Sequence, residues 1–324
     1  MRVLVAGASG AIGLPLTRQL IAHDHQVLGL IRNPDAADRL TALGARPVVA
    51  DALDRDGLLR AVHGLRADAV IHELTALTKA PLRHSGMAPT DRLRIEGTAN
   101  LLAAADALGA KRFLTQSFIL GYGYRDHGNR FLTEDAPFGM PEGDACDPHL
   151  EAMHATEQQA FTAPEGIALR YGLLYGGDAT RMRAQLARRG VPVARGGLLG
   201  WVHHEDAAAA TVAALEHGRA GRAYNVIDDR PATWQEVITA MAQAFGAPPP
   251  RRLPGWLLRL VAPYVASFVV GASMRVSNTR AKTELGWQPR FANFHDGIQA
   301  MASPAPRRSA ASPLRQSGGD QRRT

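Results

Sequence analysis

The first half of the chain alternates short apolar runs with stretches whose apolar residues recur at helical spacing. This is the pattern of a parallel sheet linked by crossover helices. Arg2–Ala6, Gln26–Ile31, Ala45–Ala50, Ala69–His72, Arg112–Ser117 and Gly166–Arg170 read as strands. Ala11–Ala22, Ile95–Leu108 and Glu151–Phe161 read as helices between them. From about Gly172 the pattern loosens. Helices are predicted at Ala179–Arg189, Asp206–Glu216 and Thr233–Phe245, with a late strand at Ala223–Ile227 and a break at the proline run Pro248–Pro250. The expected architecture is α/β: a doubly wound parallel sheet over residues 1–172, completed by strands returning from the C-terminal half. A smaller substrate lobe over 173–301 and a tail over 302–324 would follow. No repeat of solenoid period is visible.

The junction of the first strand and first helix carries the clearest chemistry. In Gly7-Ala8-Ser9-Gly10-Ala11-Ile12-Gly13, the first glycine permits a tight turn. The second lets backbone approach a pyrophosphate, and the third lets the helix pack closely on the sheet. The phosphate charge then meets the free N–H groups of a helix N-terminus. Glycines alone mark any tight turn, but this placement predicts a dinucleotide site. An acid at the end of the second strand would bind the adenosine ribose of NAD, whereas an arginine suits the extra phosphate of NADP. The chain has Ile31-Arg32-Asn33 there. NADP is therefore expected over NAD, against the plainer reading of Arg32 as a solvated turn residue.

Composition narrows the function classes. The chain is 46% hydrophobic and 21% charged over 324 residues, ordinary for a globular enzyme. Its net charge is +7, but residues 303–324 hold five arginines and one acid, +4 in all, which leaves about +3 for the body. That is too little for a nucleic-acid surface. The tail, rich in Ser, Pro, Gly and Arg, is expected to be disordered. A single cysteine, Cys146, excludes an internal disulfide framework and agrees with a reducing, cytoplasmic setting. Because an apolar strand opens the chain, no signal peptide is expected before the fold. The apolar stretch Leu257–Met274 is broken by Arg259 and Pro263, so it reads as a helix pair roofing a substrate rather than a membrane span.

Several ordered segments resemble the extended and atypical short-chain dehydrogenase/reductases, the NAD(P)-dependent epimerase/dehydratase group. They are Ala50-Asp51-Ala52-Leu53-Asp54, Val70-Ile71-His72-Glu73-Leu74, Glu96-Gly97-Thr98-Ala99-Asn100-Leu101-Leu102, Leu169–Gly176, Gly200–Ala207 and Leu285–Pro289. The likeness spans residue 1 to about 301, with Arg94 standing where the family usually has asparagine. It implies a Rossmann fold, a nicotinamide cofactor, a small-molecule substrate and pairing through the helix at Asp147–Phe161 as a possible homodimer. The cofactor residues implied are Gly7, Ser9, Gly10, Ala11, Ile12, Gly13, Arg32, Asp51, Ala52, His72 and Leu74. By the same likeness, Asp206 caps the helix after His203-His204. Adjacent histidines face different ways, so no metal site is expected there.

The resemblance fails at the proton-transfer residues. The family uses a Ser or Thr, a Tyr, and a Lys four residues later that lowers the tyrosine pKa. Ser117 is retained, but aligning Glu157 with the acid that follows the lysine places His149 at the tyrosine position and Met153 at the lysine position. Imidazole titrates near neutrality and needs no lysine, so His149 is one candidate proton carrier. Tyr122, Tyr124, His72 and Glu73 are others, because they follow strands ending at the cofactor crevice. The reading is an oxidoreductase or epimerase-like enzyme acting on a small, partly hydrophobic metabolite. A non-redox cyclase or dehydratase, and an NADP-sensing regulator, remain as alternatives.

Overall fold

The computed structural model describes residues 1–77 and 80–302, so the basic tail lies outside the described residues. The strands β1 (Arg2–Ala6), β2 (Gln26–Ile31), β3 (Arg46–Val49), β4 (Ala69–His72) and β5 (Arg112–Phe118) alternate with helices. These helices are α1 (Gly13–Ala22), α2 (Ala37–Leu43), α3 (Arg55–Val62), α4 (Ala88–Arg92) and α5 (Thr98–Leu108). A π-turn, Leu93–Gly97, joins α4 to α5. Next come β6 (Asp126–Leu132), α6 (Asp147–Ala160), β7 (Glu165–Tyr171), β8 (Leu173–Tyr175), α7 (Ala179–Ala187), β9 (Leu198–Leu199), β10 (Trp201–His203), α8 (His204–His217) and β11 (Arg222–Val226). The described part closes with β12 (Ala232–Thr233), α9 (Trp234–Ala244), α10 (Gly255–Val261), α11 (Pro263–Val269), β13 (Ser273–Val276), α12 (Thr279–Leu285) and α13 (Phe294–Ala302).

Seven strands form one parallel sheet in the order β11-β7-β5-β4-β1-β2-β3. The pleat sends alternate residues to opposite faces. Val3 and Val5 pack with Leu16 and Leu20 of α1 and with the alanines of α8. Leu4 and Ala6 pack with Leu58 of α3 and with Leu101 and Ala104 of α5. Covering both faces leaves the crevice at the carboxyl ends of β1 and β4, where the strand order reverses, as the ligand position. A second apolar cluster joins β8, β10, α9 and α13 with Leu132 of β6 and Leu150 and Met153 of α6.

The differences from the sequence reading have local causes. Helix α6 begins at Asp147 because its carboxylate accepts the backbone N–H groups of Glu142, Gly143 and Asp144 at 2.9, 2.8 and 3.1 Å. Pro148 fits the first turn, where its missing N–H costs nothing. Helix α7 stops before Arg189, which sits at φ +51°. The helix expected from Ile95 starts upstream as α4 and passes through the π-turn. Helix α8 is capped by His203, whose Nδ1 accepts from Glu205 N at 3.2 Å. Asp206 instead accepts the N–H groups of Arg290 and Phe291 at 2.9 and 3.0 Å, tying the segment before α13 to α8. Leu257–Met274 holds most of α10 and all of α11, with Pro263 in the first turn of α11. Among the described residues no helix is long and apolar enough to cross a membrane.

Candidate active site

A cavity of about 230 Å³ lies over the carboxyl ends of β1, β2 and β4. Of the residues implied by sequence, Gly7, Ser9, Gly10, Arg32, Asp51, Ala52 and Leu74 line it; Asn33, Thr75, Ala76 and Leu93 join them. Ala11, Ile12 and Gly13 form the turn into α1. Gly7 has φ +89°, and a Cβ there would lie 2.8 Å from the Glu73 carbonyl oxygen. A Cβ on Gly13 would stand 2.0 Å from the Gly7 carbonyl oxygen, so the turn closes only with glycine at both places. The cradle therefore fits a dinucleotide: the free N–H groups at the start of α1 would meet its pyrophosphate, and Arg32 and Asp51 would flank its adenosine. Arg32 is exposed at the rim and has no ion-pair partner among the described residues.

Ser117, near the end of β5, is buried and donates to Glu157 Oε1 at 2.5 Å. Glu157 also accepts from Arg170 Nε at 2.9 Å and Nη2 at 2.7 Å, a forked pair inside the core. Arg170 Nη1 donates to the Tyr122 hydroxyl at 3.1 Å, which donates to Asn225 Oδ1 at 2.8 Å. Ser117 and Tyr122 are thus linked through one buried network. Burial raises the Tyr122 phenol pKa, against the pull of the Arg170 charge.

His149 belongs to a second network. Its Nδ1 lies 2.6 Å from Asp91 Oδ2 and its Nε2 lies 3.0 Å from His84 Nδ1. A carboxylate only accepts, so His149 presents N–H to Asp91. Neutral His149 then accepts at Nε2 from His84, and protonated His149 reverses that bond. Tyr264 of α11 meets both imidazoles edge-on, with ring centroids 5.5 and 5.3 Å away. Burial, then the neighbouring His149 charge, lowers the His84 pKa. The ring nitrogens of His149 are both engaged, so His84 is the half-buried end of a relay running His84–His149–Asp91. Among the described residues this relay and the Ser117 network share no hydrogen-bonding partner. Met153, fully buried with Leu150 and Ile119, offers no charge at the lysine position.

The other candidates are placed differently: Glu73 also lines the cofactor cavity, whereas His72 and Tyr124 do not. Glu73 Oε1 accepts from Tyr171 at 2.7 Å, and Tyr171 also meets Thr211 of α8 at 2.6 Å. The Glu73 carboxyl is thus turned to the α8 side of the sheet, and burial pushes its pKa up to about 8. His72 Nδ1 accepts from Leu74 N at 3.1 Å, and burial lowers its pKa to about 4, keeping the ring neutral. The Leu74 carbonyl accepts from Gln116 Nε2, bracing the cavity wall. Burial pushes the Tyr124 pKa well up. Sequence reasoning missed His84, Asp91 and Tyr264. Only the aspartate and histidine residue types could have drawn attention to the first two.

The chain belongs to the NAD dependent epimerase/dehydratase family, whose model matches residues 3–226. It is an enzyme of the short-chain dehydrogenase/reductase group and has the nicotinamide cofactor site of that family. It is 37% identical over 318 residues to the 3-diazoavenalumate denitrifying reductase of a Streptomyces species, covering 92% of this chain and 99% of that one. It is 28% identical over 271 residues to the 2-alkyl-3-oxoalkanoate reductase of Stenotrophomonas maltophilia, covering 76% of this chain and 77% of that one. The fold is shared with UDP-glucose 4-epimerase of Thermotoga maritima, at TM-score 0.74 and 21% identity over 93% of this chain and 97% of that one. A human epimerase family protein solved with NADPH gives TM-score 0.74 at 22% identity, over 93% and 99% of the two chains.

Proposed function

We propose that this protein is an NADPH-dependent reductase that removes nitrogen from a diazo-bearing carboxylate. The observation that carries the reading is the replacement of the tyrosine–lysine pair by His149, held in a relay with Asp91 and His84, and by the uncharged Met153. The 37% identity to a denitrifying reductase over nearly the whole of both chains supports it. When bound, the reduced nicotinamide supplies a hydride equivalent. The balance is R–N₂⁺ plus hydride giving R–H plus N₂, with no proton drawn from outside. If hydride reaches the terminal nitrogen, that N–H proton must be taken up and returned to the carbon that N₂ leaves. An imidazole can take a proton at one ring nitrogen and release one from the other, so the His84–His149 pair suits this task without a phenol activated by lysine.

Incubation with 3-diazoavenalumate and NADPH should consume both one-to-one and release one equivalent of N₂. NADPH consumption with an alcohol product from a 3-oxo acid would instead favour carbonyl reduction, with His84 protonating the alkoxide. A non-redox cyclase or dehydratase would turn over without oxidising NADPH, and a sensor would bind NADPH without turnover.

The cofactor choice rests on Arg32, the unpaired cation at the cavity rim. NADPH should bind at least about tenfold more tightly than NADH, roughly 1.4 kcal/mol, and Arg32→Ala should remove most of that preference. Calorimetric titration measures both. Equal affinities in the unaltered protein would overturn the assignment to NADP.

A further inference from the structure

Arg94 occupies the place of the family's asparagine, on the π-turn Leu93–Gly97. Such turns insert a residue into the helical repeat and recur at functional sites. Leu93 faces the cofactor cavity, while Arg94, the next residue, meets the relay. The Arg94 residue is only 9% exposed. Its Nη1 has a single contact, 3.3 Å from Asp91 Oδ1, and its Nε is buried without an acceptor among the described residues. A guanidinium offers five N–H donors, and here the buried Nε–H has no acceptor among the described residues. Nor is Asp91 a full counter-charge, since its other oxygen lies 2.6 Å from His149 Nδ1.

Two phenols complete the surroundings. Tyr264 of α11 stands edge-on to His149, the partner of Asp91, with ring centroids 5.3 Å apart, and Tyr124 follows β5; burial raises both phenol pKa values and the Arg94 charge pulls against it. A buried cation with too few acceptors is costly unless a ligand supplies them. Arginine's planar fork matches a carboxylate through two parallel hydrogen bonds.

We propose that Arg94 is the carboxylate clamp of the substrate site, seating a conjugated or aromatic acid whose apolar body lies against Tyr124 and Tyr264. This deepens, and for the substrate class rests on, the reading of the chain as a reductase of a carboxylate substrate. It makes Arg94 a binding residue that touches the proton relay only through Asp91.

The test needs no turnover. NADPH-loaded protein is titrated calorimetrically with cinnamate and with cinnamamide, its neutral counterpart. Cinnamate should bind about tenfold or more tightly than cinnamamide in the unaltered protein, the scale of one lost charge-assisted contact. Arg94→Met should abolish that advantage while leaving the affinities for cinnamamide and NADPH unchanged, and Arg94→Lys should keep part of it. Equal binding of the two probes by the unaltered protein, or binding of neither, would overturn the clamp whatever the variants do. Unchanged cinnamate affinity in Arg94→Met would also overturn it. Lost NADPH affinity in that variant would assign Arg94 to the cofactor instead. If N₂ is not released from 3-diazoavenalumate but the cinnamate preference stands, the diazo reading fails and the clamp survives.

Discussion

His149→Ala is expected to lower turnover of 3-diazoavenalumate by about a hundredfold to ten-thousandfold, the usual contribution of a positioned acid–base group. NADPH affinity should hardly change, because His149 does not line the cavity over the Gly7–Gly13 turn. His84→Ala should show a loss of similar size, since His84 joins the relay through its 3.0 Å contact with His149. Asp91→Asn should cost less than removing the imidazole, because the amide still occupies the site but no longer holds one tautomer. Steady-state rates together with fluorescence titration of NADPH check all three. Normal turnover in His149→Ala would make the relay a structural feature and return attention to Tyr124.

Glu157→Leu is expected to destabilise the fold by about 3–5 kcal/mol, the cost of leaving a buried charge without its partner. The charge is Arg170, whose Nε and Nη2 donate to Glu157 at 2.9 and 2.7 Å inside the core. Ser117 loses its acceptor in the same variant. Pairing the change with Arg170→Met should recover much of the loss, because apolar residues of similar volume replace buried ion pairs at little cost. Urea unfolding followed by circular dichroism gives both values. A single variant within 1 kcal/mol of the unaltered protein, roughly the value of an exposed ion pair, would show that water reaches the network.

Much of this arrangement was legible in the chain. The apolar runs located six of the seven central strands, and Ala223–Ile227 located the seventh to within one residue at each end. The glycine spacing found the cradle because its requirement is local: the clash a Cβ would make at Gly13 involves only Gly7 and Ala8. Strands of two residues such as β9 and β12 left no periodic signal to read. The relay was not legible, because its members lie 58 and 65 positions apart and meet only through the packing of α4, α6 and the loop before α4. Tyr264 arrives from the other lobe altogether. The turn of Glu73 to the far face follows from strand alternation next to His72, a local rule that position at a strand end had obscured. Arg94 stood out as a departure from the family pattern, but its single contact with Asp91 emerged only in three dimensions.

The central claim is that hydride reaches the substrate in a reaction that expels nitrogen. Single-turnover incubation of the protein with 3-diazoavenalumate and NADPH carrying deuterium at one face of nicotinamide C4 tests it most directly, run in parallel with each C4 epimer. The account predicts that one epimer, and not the other, delivers its label to substrate-derived material, with stoichiometric N₂ and NADP. Where exchangeable nitrogen-bound deuterium is lost before it reaches carbon, the label should appear in solvent in step with NADP formation. N₂ release with both labelled cofactors recovered intact would contradict the claim.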